Sequence, residues 1–319
     1  MKLRLGNLLR FAVTAALVIF LLRLVDLRSL GRLIAAADPL LLAAAVALSL
    51  CDRALMFGKW FPLLRARVPD SPLMPAARVY LASGLLQYIF PVTVGADVLR
   101  ATAVGQGQRA VAEVGASIIA ERLLGLLASG VLSTLAIATA IHEEIPVRFL
   151  VPWAAASIAA SGIVFLLPLT KPGRALMRRA AEELPNQGWV HFLRRMAQGY
   201  AAYRTRPGLL LGVGLLSILE QGISILLMGV VAAALSIPVT VPMLVVTMPL
   251  TLFVARLPIS LGGIGVGEAS IVYLLGLFKV SPTDALAISV VSRAVDVVVM
   301  TLPGLFLWRD LMPSRRTGS

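Results

Sequence analysis

Six long apolar stretches and two interrupted ones fill most of this chain, and that pattern constrains the fold more than any other feature. A helix rises about 1.5 Å per residue, so about 20 apolar residues cross the roughly 30 Å of hydrocarbon in a bilayer. Asn7–Leu24, Pro39–Gly58, Ala110–Ile141, Phe149–Leu169, Gly208–Leu235 and Asp284–Leu307 reach or approach that length. Arg78–Gly105 is apolar but interrupted at Pro91 and Gly95. Val241–Phe278 is interrupted at Pro249, at Pro258 and at the cluster Gly262, Gly263, Gly265 and Gly267. The pieces on either side of these breaks are too short to cross squarely, so each region is expected to return to the side it left. The expected fold is an all-α integral membrane protein, a polytopic helical bundle of six full spans plus two re-entrant or broken-helix hairpins. Nothing in the sequence divides it, so residues 1–319 read as a single transmembrane domain.

Composition agrees. Charged residues make up 14% of the chain and hydrophobic ones 59%, whereas about a quarter of a soluble domain is charged. With so little polar surface, lipid must serve as part of the solvent, and no soluble catalytic domain fits. The net charge of +13 invites a nucleic-acid partner, but its distribution speaks against one. Of the 29 Lys and Arg, 20 fall in Met1–Arg10, Lys59–Arg78, Arg100–Arg109, Lys171–Pro207 and Arg309–Ser319. Those segments lie on one side if each interrupted region is re-entrant. Basic loops face the cytoplasm, so a multi-pass protein of the cytoplasmic (inner) membrane with both termini cytoplasmic is expected. Five fall in outside loops, Arg23, Arg28, Arg32, Arg148 and Lys279, and four within apolar segments; Arg23, Arg28 and Arg32, clustered in one outside loop, run against the rule. They also separate the apolar run Phe11–Leu22 from the small residues Ala35–Ala37, so the first segment reads as an uncleaved signal anchor rather than a cleaved leader. Cys51 is the only cysteine, which rules out an intrachain disulfide.

The segment 171–207 has its own periodicity. Leu176, Met177, Ala180 and Leu184 share a helical face opposite Arg174, Arg178, Arg179, Glu182 and Glu183. Beyond Pro185, Trp189, Phe192, Leu193, Met196, Tyr200 and Tyr203 recur at helical steps. Basic, aromatic, amphipathic helices of this kind lie in the headgroup plane, and an anchoring surface segment is expected here.

The two interrupted regions match one another. Phe90-Pro91-Val92-Thr93-Val94-Gly95 corresponds in chemical type to Leu257-Pro258-Ile259-Ser260-Leu261-Gly262. Arg122 follows the first proline by 31 positions, and Arg293 follows the second by 35. By parity the first region enters from inside and the second from outside, which makes the repeat inverted. Such repeats, with broken helices near the bilayer midplane, build alternating-access transporters. Proline removes a donor and glycine permits close approach, so Pro91, Thr93, Gly95, Pro258, Ser260, Gly262, Gly263 and Gly265 are candidates to present free backbone groups to a ligand.

Charges within apolar segments are the second signal. An ionised side chain at mid-membrane costs about 2.5–3.5 kcal/mol even on the lenient insertion scale. Asp52, Arg53, Asp97, Glu121, Arg122, Glu220, Arg256, Glu268, Arg293 and Asp296 lie in or beside such segments. Asp97 with Arg100, and Arg293 with Asp296, are three apart and share a helical face. Glu121 and Arg122 are adjacent and need partners from other helices. Crossed pairing between the halves, Glu121 with Arg293 and Glu268 with Arg122, is expected. The candidate substrate-binding set is Asp97, Arg100, Glu121, Arg122, Arg256, Glu268, Arg293 and Asp296. Its mixed signs suit an anionic or zwitterionic lipid headgroup.

At these positions the chain resembles the transmembrane, flippase-like region of the lysylphosphatidylglycerol synthase family. The matching residues are Pro91 with Gly95-Ala96-Asp97-Val98-Leu99-Arg100, then Glu121-Arg122, then Leu257-Pro258-Ile259-Ser260-Leu261-Gly262-Gly263-Ile264-Gly265-Val266-Gly267-Glu268, then Arg293 and Asp296. The resemblance implies a helical domain that moves lipids between leaflets and admits a homodimer. In bifunctional relatives a soluble aminoacyl-transferase domain follows. This chain ends at Ser319, so lipid aminoacylation is not expected of it. Many relatives carry Gly-Glu or Gly-Gly-Asp where this chain has Gly95-Ala96-Asp97, which leaves substrate identity open.

The leading expectation is a lipid translocase with no cofactor and no metal. No Gly-x-x-x-x-Gly-Lys-Ser/Thr loop holds nucleotide, and His142-Glu143-Glu144 lacks the second histidine of a metal-binding helix. Two rival readings stay open: an intramembrane enzyme acting on a lipid headgroup, and a non-transporting scaffold for envelope lipid synthesis.

Overall fold

The computed structural model describes residues 2–89, 93–105, 107–142, 151–167, 169–182, 198–256 and 265–307. Among them there are twelve α-helices and no strand: α1 Lys2–Leu24, α2 Leu27–Ala35, α3 Pro39–Arg67, α4 Leu73–Ile89, α5 Thr93–Val104, α6 Gly107–His142, α7 Val151–Leu166, α8 Lys171–Glu182, α9 Pro207–Ala234, α10 Val241–Arg256, α11 Val266–Gly276 and α12 Pro282–Leu307. A short 3-10 turn, Ala202–Thr205, precedes α9.

Helix starts follow local chemistry. α3, α9 and α12 each open on proline, which sets the helical φ and gives up only an N–H that has no intrahelical partner. Asp38 caps α3, its Oδ1 accepting from the Leu40 N–H at 2.7 Å and the Leu41 N–H at 3.3 Å. Ser281 caps α12, accepting from the Asp284 N–H at 3.1 Å. Asp26 caps α2, and bonds from the Ser29 hydroxyl and the Arg28 N–H hold its carboxyl below the usual range.

Among the described residues, three helices are long and apolar enough to cross a membrane: Pro39–Arg67, the Ala110–Ile141 stretch of α6, and Pro207–Ala234. Large apolar side chains stand exposed along them, including Leu40 at 77% and Leu211 at 66%. Water does not stabilise such a surface, but lipid does. The protein is a multi-pass helical membrane protein.

By its internal contacts the chain divides into two compact units: Met1–Asp52 with Ser129–Ile158 and Ile218–Val299, and Arg53–Ala128 with Ala159–Ser217 and Met300–Ser319. Each unit contains one hairpin of short helices. In the second unit α4 packs on α5, and in the first α10 packs on α11. At 12 and 11 residues, α5 and α11 extend only about 18 Å and 16 Å, so neither crosses the hydrocarbon alone. The first unit's core joins Leu21, Val231, Leu235, Leu244, Leu275 and Ile288. The second unit has two clusters, one around Trp60, Leu64, Tyr80 and Val114 and one around Leu63, Leu124, Tyr200, Tyr203 and Val213.

Several expectations need correcting. Pro249 does not break α10 but lies inside it, and Gly95 lies within the first turn of α5. α3 runs on to Arg67, so Lys59, expected in a cytoplasmic loop, is helical and buried. Arg100 likewise is buried in α5. Tyr200 and Tyr203, expected in the headgroup plane, are buried in the second unit's core. Their hydroxyls donate to the Phe165 and Leu63 carbonyls at 3.0 and 2.8 Å, and burial pushes both phenol pKa values up. α2 occupies a stretch expected to be loop. It buries no residue fully, while Leu30 and Leu33 pack against the core. Pro91, Pro258, Ser260, Gly262 and Gly263 lie outside the described residues.

Candidate functional site

In the second unit, the hairpin helix α5 presents two charges to the long helix α6. Asp97 and Arg100 stand one turn apart with 3.6 Å between Oδ1 and Nη2, the local pairing that the spacing predicts. Glu121 and Arg122 on α6 face them. The Arg122 Nη2 lies 2.6 Å from the Asp97 Oδ2, and the Arg100 Nη2 lies 3.1 Å from the Glu121 Oε2. Adjacent residues on a helix point about 100° apart, so Glu121 and Arg122 serve two different partners rather than each other.

The two pairs differ in solvation. Arg100 and Glu121 are each 5% exposed. The Arg100 guanidinium lies 4.7 Å from the Trp60 ring centre and 5.0 Å from that of Tyr80, and its Nε has no hydrogen-bond partner among the described residues. Tyr80 donates its hydroxyl to Glu121 Oε1 at 3.4 Å, and the Trp60 Nε1–H donates to Ser117 Oγ at 3.0 Å. This is a desolvated clamp in which aromatic faces replace water around a cation, an interaction that reaches about 2 kcal/mol or more when desolvated. The Asp97–Arg122 pair is open, its side chains 19% and 45% exposed. A guanidinium has five donors, so after one carboxylate Arg122 retains donors for a ligand.

Among the described residues, the first unit's hairpin repeats only the open pair. Arg293 on α12 closes on Glu268 of α11 at 2.5 Å, with side-chain exposures of 36% and 10%. Arg122 follows Asp97 by 25 positions, and Arg293 follows Glu268 by the same 25. The longer interval from the second proline is therefore taken up between Pro258 and Glu268. Glu268 is fixed from its other side as well, its Oε2 accepting the Gly265 N–H at 2.7 Å. Gly265 has φ of +81°, and a Cβ there would stand 2.9 Å from the Leu17 Cβ of α1. Only glycine fits both the dihedral and the approach. Asp296, one turn past Arg293, accepts from the Ser49 hydroxyl at 2.7 Å.

The crossed pairing expected between the halves gives way to pairing within each unit. Arg122 meets Asp97, Glu121 meets Arg100, and Arg293 meets Glu268. A local partner wins because each hairpin helix packs its acid directly against the next long helix. Arg256 ends α10, and its side chain lies outside the described residues. Trp60 and Tyr80 had no local signal: they lie on α3 and α4, and only packing brings them to Arg100 and Glu121, whereas Ser117 stands one turn before Glu121 on α6 itself.

A family model described as the lysylphosphatidylglycerol synthase TM region matches residues 7–304. No curated protein matches the chain.

Proposed function

Because the chain belongs to the family of lysylphosphatidylglycerol synthase transmembrane regions, a membrane family linked to lipid metabolism or transport, we propose that it is a lipid translocase. It moves a phospholipid or related polar lipid between leaflets by way of the two hairpins. The supporting observation is the pair of open ion pairs, Asp97–Arg122 and Glu268–Arg293. Each sets an acid on a helix too short to span against an accessible arginine on the following long helix. A headgroup phosphate competes for the arginine in bidentate fashion, while the carboxylate keeps the site neutral when empty and meets an amine when the headgroup has one.

In this reading α1, α3, α6, α7, α9 and α12 are six spans, the hairpins enter from opposite sides as an inverted repeat, and both termini are cytoplasmic in an inner membrane. The protein works without cofactor or catalytic step, on membrane lipids and not nucleic acid, and a second copy is compatible with it. Purified protein in liposomes bearing fluorescent lipids tests this. Wild type accelerates leaflet exchange with the lipid unchanged, and Arg122→Gln or Arg293→Gln slows it at least about tenfold, the loss of one charged hydrogen bond. A new lipid species would instead mark an enzyme. Exchange at the protein-free rate would mark a scaffold.

A further inference from the structure

A second group of arginines belongs to elements other than the hairpin helices. A cavity of about 200 Å³ is lined by Ala66 and Arg67 at the end of α3 and by Ala202, Tyr203, Arg204, Thr205 and Arg206 before α9. Its walls are built rather than incidental. Tyr203 is buried and donates to the Leu63 carbonyl at 2.8 Å, which ties the 3-10 turn to α3. Arg67 is held by Glu113 of α6, with 2.7 Å between Nη2 and Oε2. Gly199 lets the segment close on α6, since a Cβ there would stand 2.8 Å from the Ala116 Cβ and 3.0 Å from Glu113 Oε2.

The charges do not cancel. Glu113 neutralises Arg67, whereas Arg204 and Arg206 are exposed and meet no carboxylate among the described residues. Two uncompensated guanidiniums and the Glu113-paired Arg67 line one small cavity, so an anion there would meet donors from three arginines. Their planar forks match the oxygens of a phosphate. The volume is below the roughly 300–1,000 Å³ of pockets that enclose whole small molecules, so the fit is to a phosphate group and not to a larger ligand. We infer that this cavity is a phosphate-binding site formed by Arg67, Arg204 and Arg206, taking either the phosphate of an anionic lipid headgroup or free inorganic phosphate. It shares no residue with the hairpin ion pairs, and its test reads binding, so its failure would leave the translocase proposal standing.

The full chain, purified in neutral detergent, is unfolded thermally in two arms. One titrates inorganic phosphate at constant ionic strength with chloride. The other compares mixed micelles containing phosphatidylglycerol with micelles containing phosphatidylcholine. A rise in Tm with phosphate marks a site open to the free anion, and a rise with phosphatidylglycerol alone marks a headgroup site. In either arm R204Q/R206Q, which changes exposed side chains only, needs about tenfold more ligand for the same rise. R28Q/R32Q, which removes two exposed arginines of α2, stays within about twofold of wild type, as surface charges away from a site do. The inference is overturned if neither ligand raises the wild-type Tm, if R204Q/R206Q responds like wild type, or if both double variants weaken alike.

Discussion

The two hairpins share a frame and differ in lining. On α5 and α6, Asp97 and Arg122 form the open pair, with Arg100 and Glu121 forming a buried second pair behind it. Counting from Glu268 and Arg293 in the same register, the positions of Arg100 and Glu121 are taken by Ile271 and Ser292. Both are buried, and the Ser292 hydroxyl has no hydrogen-bond partner among the described residues. One hairpin therefore stiffens its open pair with a desolvated ion pair between aromatic rings. The other relies on an apolar side chain and on the backbone N–H of Gly265, which holds the acid directly. The open pair is the element common to both. The inner pair is one of two ways to support it.

Single substitutions of the inner pair should show the largest effect on stability. Arg100→Gln strands Glu121 in a buried environment and is expected to cost about 3–5 kcal/mol, as removing one partner of a buried pair does, read by denaturant unfolding in detergent. Glu121→Gln should fall toward the lower end of that range, because Arg100 keeps the Asp97 carboxylate at 3.6 Å. A loss under about 1 kcal/mol would mean the pair is solvated and the comparison wrong. The second hairpin has its own weak point at Gly265. Gly265→Ala forces a side chain into a positive-φ position against Leu17 and should cost about 1–3 kcal/mol. Gly267→Ala, whose Cβ would meet nothing closer than 3.8 Å, should stay within about 0.5 kcal/mol of wild type.

The smallest effect should come from converting one lining into the other. The double variant R100I/E121S gives the first hairpin the residues of the second and leaves no stranded charge. Because a well-packed apolar replacement of a buried ion pair is often neutral, its stability should fall by less than about 1.5 kcal/mol, well above either single variant. Retained leaflet exchange in this variant would assign the inner pair to support. Lost exchange with retained stability would bring Arg100 and Glu121 into the transport site itself.

Much of this was legible in the chain. Pro91 and the run from Pro258 to Gly267 marked both hairpins, and both ends of α9, the start of α10 and the end of α11 lie within a few residues of expectation. The 25-residue interval from acid to arginine was also present, but the longer run after Pro258 concealed it. Pro249 misled because a helix packed on a neighbour tolerates a proline kink. Tyr200 and Tyr203 misled because helical periodicity shows that a face is apolar, and does not show whether lipid or protein covers it.

The sequence by itself determined the class of molecule and where most of its long apolar helices lie. Apolar length and scarce charge leave a chain no alternative to spanning helices, since hydrocarbon cannot satisfy an open backbone. Only the tertiary structure decided which charges are partners, which are solvated, and which aromatic rings enclose Arg100. Coulomb attraction and desolvation depend on distance and surroundings, and residues far apart in the chain acquire both only when their helices pack.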